Sequence, residues 1–125
     1  MIDFIKANPR DRVEANDCSV RAVSVASGLP YYKVHAAFTE AGRKTGKGVT
    51  VRIMIAALQK LGIMQQPESL VFRKPTLSYW LSNNPTGNWV IVKRSHAFAI
   101  LDGVVHDSAP VGARSRVLFA FKVNT

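Results

Sequence analysis

The chain has 125 residues, 47% of them hydrophobic and 20% charged, which excludes a disordered chain and suits one compact domain over residues 1–125. Its 17 Lys and Arg against 8 Asp and Glu leave a net charge of +9, a balance that favours an anionic partner, whether nucleic acid, an acidic protein face or a membrane surface. The single cysteine, Cys18, excludes a disulfide framework and a Cys-rich zinc site.

Residues 1–16 are polar and contain Pro9, so an irregular segment is expected there. The opening residues lack the apolar stretch of a signal peptide and no run is long enough to span a membrane, so the expected location is cytoplasmic. Asn16-Asp17 supplies an N-cap for a first helix over 18–27, with Asp17 capping, and Gly28 and Pro30 close it. Val34, Ala37, Phe38 and Ala41 form one stripe of a second helix over 31–43. The basic, glycine-rich stretch 42–48 lacks the spacing of a phosphate-binding loop and reads as a solvated connection. Thr50 caps a third helix over 51–61, ended by Gly62, and a short helical piece is expected over 76–81. Strands are expected at 89–93, 97–101 and 104–107, the last two joined by an Asp102-Gly103 turn. A final strand is expected over 116–123, with Val117, Phe119, Phe121 and Val123 on one face. Helices first and strands afterwards point to an α+β domain, with the N-terminal helices packed on a small antiparallel sheet.

Three residues carry the chemistry. Cys18 opens a helix, where the dipole and unpaired N–H groups favour a thiolate and can hold an oxyanion. His96 opens a strand. A two-residue turn at Asp102-Gly103 sets Phe98 opposite Asp107, which makes His96 and Asp107 diagonal neighbours on one face, roughly 7–8 Å apart at Cα. His106 then points to the other face. A carboxylate on the imidazole fixes its tautomer and stabilises its cation, and that cation holds a thiolate. The bland alternative for Cys18 is a buried hydrophobe in the first helical turn. With one cysteine and no His-rich cluster, no metal and no cofactor is expected. The cations Arg43, Lys44, Lys47, Arg52, Arg73, Lys74, Lys93, Arg94, Arg114 and Arg116 are candidates for a basic patch, without recognisable interleaved aromatics.

The Asn16-Asp17-Cys18 start, the helical half, and the run from Ser95-His96 through Asp102-Gly103 to His106-Asp107-Ser108 resemble a papain-like cysteine peptidase core over about residues 12–110. In layout the chain is similar to bacteriocin-processing, double-glycine leader peptidase domains and to small cysteine-peptidase-like proteins of bacteriophages. The resemblance implies a papain-like fold and a Cys18-His96-Asp107 triad acting on peptide or amide bonds. It also implies an oxyanion and substrate-binding group drawn from Arg12, Asn16 and Asp17. Such enzymes usually carry glutamine six residues before the cysteine, where this chain has Arg12, and commonly glycine after it, where this chain has Ser19. The expected partner is a peptide or protein substrate. The alternative is a phage accessory protein that keeps the fold without catalysis and binds a host protein or nucleic acid in the host cytoplasm.

Overall fold

A computed structural model describes residues 2–6 and 16–124. In chain order these residues form β1 (Phe4–Lys6), α1 (Cys18–Ser27), α2 (Tyr31–Glu40), α3 (Val51–Leu61), β2 (Met64–Ser69), α4 (Leu77–Asn83), β3 (Asn88–Lys93), β4 (His96–Leu101), β5 (Val104–Asp107) and β6 (Phe119–Val123). The fold is mixed α+β, with four helices and one six-stranded sheet among the described residues, in the order β1-β5-β4-β3-β6-β2. Every pairing is antiparallel except the β1–β5 edge.

The sheet is covered on both sides, which explains why β3 and β4 read as unbroken apolar runs rather than as alternating ones. Val90, Ala97, Ala99, Phe121 and Val123 join α1, α2 and α3 in one core, around Val20, Val23, Val34, Phe38 and Leu58. Trp89, Ile91, Phe98, Ile100 and Val105 join Leu77 and Trp80 of α4 in a second core on the opposite face. Trp80 meets Trp89 edge to face, with ring centroids 5.0 Å apart. The first core is built from small residues where α1 crosses β4: Ala22 and Ala26 on the helix, Ala97 and Ala99 on the strand. Small side chains let a helix approach a strand closely, and this approach sets the position of Cys18.

Several elements differ from the sequence expectation, each for a physical reason. The stretch expected to be irregular contains β1, whose three residues pair with β5 (Phe4 with Val105, Lys6 with Asp107), a non-local contact with no periodic signal. β2 was not expected because it is polar and contains Pro67. As an edge strand pairing only with β6, it tolerates a residue without an N–H, and it carries a register shift between Met64 and Gln66. α2 ends at Glu40 instead of 43, since Gly42 takes φ 113° and leaves the helical path. α4 runs two residues further than expected, with the Thr76 hydroxyl accepting from the Tyr79 N–H. β6 starts at Phe119, not Arg116. The preceding residues bond elsewhere, with Val117 N–H to the Pro75 carbonyl and Leu118 N–H to the Val92 carbonyl. Val117 therefore belongs to the second core while Phe121 and Val123 belong to the first. α1 and α3 occupy the expected residues, and Thr50 caps α3 through a 3.2 Å bond from the Ile53 N–H.

Candidate active site

The β4–β5 hairpin builds the acid–base half of the site. Asp102 and Gly103 both take positive φ (46° and 82°), the tight turn that matches strand twist. The register is Ala99 with His106, Ile100 with Val105 and Leu101 with Val104, as a two-residue turn requires. The diagonal placement follows: His96 Nε2 lies 2.6 Å from Asp107 Oδ2. The carboxylate is 8% exposed, and its other oxygen accepts the Ser108 N–H at 2.7 Å. Phe98 stacks on the imidazole with centroids 6.1 Å apart. The ring is thus gripped on one edge and one face.

Cys18 supplies the other half. The β4–β5 ladder stops at Ala99–His106, so the edge of β4 is open beside Ala97, and the first residue of α1 reaches it there. Cys18 lies on one cleft with His96 and Ala97, and its interactions with the His96 ring and with the Ala97 backbone N–H both lower the thiol's pKa. With Nε2 taken by Asp107, Nδ1 is the nitrogen left for the thiol. Burial pushes the thiol up, but the His96 bond, the Ala97 N–H and the charges of His96 and Arg21 outweigh it, and the Cys18 pKa lies below its ordinary value of 9.0. His96 is pushed up from 6.5 to about 9, first by its bond to Asp107 and then by its bond to Cys18, against the opposing effect of burial. Both shifts favour one state, a thiolate beside an imidazolium.

Asp17 does not join this centre, which corrects its assignment to the oxyanion and substrate-binding group. It is 1% exposed, one oxygen accepts from Arg21 Nε at 2.9 Å, and the other accepts from the Tyr31 hydroxyl at 2.7 Å. The expected capping bond is absent for the same reason, since both oxygens point to α1 and α2 side chains. The consequence is chemical. Among the described residues, the first N–H groups of α1 have no intrahelical acceptor and receive no cap from the Asp17 side chain, which leaves them available to an oxyanion. Asp17 instead ties α1 to α2 and holds Arg21, whose charge favours the thiolate. Tyr31→Phe removes one donor from this buried carboxylate. It is expected to cost about 2 kcal/mol by urea denaturation. A change below about 0.5 kcal/mol would show that the link carries little of the stability.

Asn16 takes φ 57° and donates from Nδ2 to the Gly46 carbonyl at 2.9 Å. It lines the cleft above the thiol, but with one amide hydrogen committed to the loop. Arg12 lies outside the described residues. The 42–48 loop is mostly exposed, as expected of a solvated connection, with Arg43 the exception. Arg43 is 3% exposed, and it donates to the carbonyls of Lys47 (3.0 Å) and Asn16 (3.4 Å), so it braces the loop rather than displaying a charge.

The cleft at the thiol encloses about 290 Å³. Cys18, His96, Ser19 and Ser95 lie on its polar side, and Val49, Val51, Met54 and Val92 supply an apolar wall. Lys93 stands at the rim, cross-strand from His96. Sequence reasoning missed Arg21, Ser108 and the Ala97 amide as partners of the site. Backbone donors leave no trace in residue identity. Arg21, however, stands four residues after Asp17, a spacing that marks a helical ion pair. Among the described residues, no group of three or more His, Cys, Asp or Glu side chains gathers in a metal-binding arrangement. No helix among them is long and apolar enough to cross a membrane.

No known protein family, curated protein or solved structure matches the chain.

Proposed function

We propose that this protein is a papain-like thiol hydrolase that acts on peptide or amide bonds through Cys18, His96 and Asp107. The observation that carries the reading is one imidazole held 2.6 Å from a buried carboxylate and sharing a cleft with a thiol whose pKa it lowers. A structural histidine has no need of the second partner. The order of parts also fits: a cysteine at the start of a helix packed on an antiparallel sheet, a histidine opening one strand and an aspartate ending the next.

The chemistry proceeds in two halves. The Cys18 thiolate attacks the carbonyl carbon, and the negative oxygen faces the open N–H groups at the start of α1. The imidazolium of His96 gives its proton to the leaving amine as the C–N bond breaks, leaving a thioester on Cys18. His96 then takes a proton from water, which attacks the thioester and releases the acid. Asp107 keeps the ring in one orientation and balances its charge throughout. The apolar wall of Val49, Val51, Met54 and Val92 suits an aliphatic portion of the substrate beside the reacting bond.

A fluorogenic dipeptide-amide library tests the reading. Release of the fluorophore by the native chain and none by Cys18→Ser is the expected outcome. No release, combined with no acyl adduct on Cys18 by mass spectrometry, would reject hydrolysis. That outcome would favour a binding protein that keeps the arrangement without turnover.

A further inference from the structure

A second cleft adjoins the thiol cleft. It encloses about 600 Å³ and is lined by Lys74, Lys93, Arg94, Ser115, Arg116 and Leu118. Four of the six are cations and none is acidic. Lys93 lines both clefts, so the two meet at one side chain. Lys93 Nζ lies 3.3 Å from the Ser115 hydroxyl, and Arg116 Nη1 donates to the Lys74 carbonyl at 3.0 Å. Among the described residues none of the four forms an ion pair. The backbone is arranged to gather them. Lys93 ends β3 and Arg94 lies in the following turn. Leu118 N–H bonds to Val92, which keeps residues 115–118 beside β3. Lys74 takes φ 44°, a conformation unfavourable for a lysine, and is held there by its N–H to Leu70 at 2.6 Å and by Arg116. Four like charges drawn into one concavity repel one another, and a concave wall focuses the field on whatever enters it.

We infer that the substrate of this site carries an acidic polypeptide segment, which docks in the Lys74-Lys93-Arg94-Arg116 cleft while the reacting amide lies over Cys18. The inference rests on the thiol-hydrolase reading for the second half of that statement, not for the first. Lys93 joins anion and reacting bond on one ligand. The lining holds no aromatic ring on which a nucleobase could stack, so carboxylates fit it better than single-stranded nucleic acid. The groove beyond Arg116 does contain Tyr79, but also Glu68, which interrupts the positive stretch.

Docking can be measured without turnover. The full chain with Cys18→Ser is titrated into a short fluorescein-labelled Asp/Glu-rich peptide, its Asn/Gln counterpart and an oligothymidylate. The acidic peptide is expected to bind tightest, with salt-sensitive affinity, and to lose about tenfold when Lys74→Gln and Arg94→Gln are combined. In the native chain, the same peptide is expected to slow iodoacetamide alkylation of Cys18. Equal binding of the uncharged peptide, indifference to the double substitution, or absence of protection would overturn the proposal. So would an oligothymidylate that binds tighter than the acidic peptide and is lost in the same variants. A chain that binds the acidic peptide but shows a sluggish thiol, unaffected by His96→Ala, would refute the hydrolase reading and leave the docking result standing.

Discussion

Replacing His96 with alanine is expected to slow iodoacetamide alkylation of Cys18 near neutral pH by roughly tenfold or more. An ordinary thiol titrates near 9.0, and burial alone would move Cys18 higher still. The His96 bond and charge do most to reverse that. Without them only the Ala97 N–H and the Arg21 charge oppose burial, and at neutral pH the thiolate falls to a small fraction. The loss is partly offset because a more basic thiolate is the better nucleophile once formed. The check is the second-order alkylation rate as a function of pH. The native chain should reach its plateau below the ordinary thiol range, and His96→Ala should reach it at or above that range. His96 is half-buried at the sheet end and no core depends on it, so circular dichroism should report an unchanged fold. An unchanged alkylation profile would mean that the ring does not hold the thiolate, and the hydrolase reading would fail with it.

The parts of the site that could be read from residues are those set by local geometry. The Asp102-Gly103 turn dictates the hairpin register, and that register alone places Asp107, rather than His106, on the face of His96. His106 lies across from Ala99, where burial lowers its pKa. Cys18 is different. Its meeting with His96 depends on how α1 crosses β4, which depends on alanines whose packing has no periodic signature of its own. Asp17 shows the opposite error. Its position before a helix made a capping role and a place in the site reasonable, yet burial gave both oxygens stronger partners in Arg21 and Tyr31. A charge-assisted bond inside the protein outcompetes an N-cap bond that water could replace.

The same contrast runs through the fold. α3 is legible end to end because a threonine cap, an apolar face and a glycine stop agree. β1 and β2 are invisible to pattern because they are edges. A polar sequence with a proline can still close a sheet when only one side must be bonded. Arg43 was counted among surface charges because arginine usually is one, but its long side chain folds inward and donates to carbonyls of its own loop and of Asn16. Asn16 and Gly48, which follows Lys47, line the cleft, so a residue read as solvent-facing braces the backbone at its edge.

Asp107→Ala is expected to have the second large effect, lowering turnover by about a hundredfold or more and moving the alkaline limb of the pH profile. In the native chain the thiolate–imidazolium state persists until His96 loses its proton at about 9. The bond to Asp107 is the largest cause of that raised value. Removing the carboxylate should bring the limb down toward 6.5 and release the ring from the orientation fixed at 2.6 Å. Asp107→Asn separates the two roles: the amide can still orient the ring but cannot balance its charge, so the limb should fall while turnover is less affected. Stability should follow with a definite sign. His96 binds its proton more tightly folded than unfolded, so the Asp107 contribution is fully present below pH 6.5 and is lost as pH rises through about 9. In urea denaturation across that window, the gap between the native chain and Asp107→Ala should be widest on the acid side and narrow toward the alkaline side. A gap that widened with pH would mean that Asp107 does not act through the His96 cation, and its place in the triad would have to be abandoned.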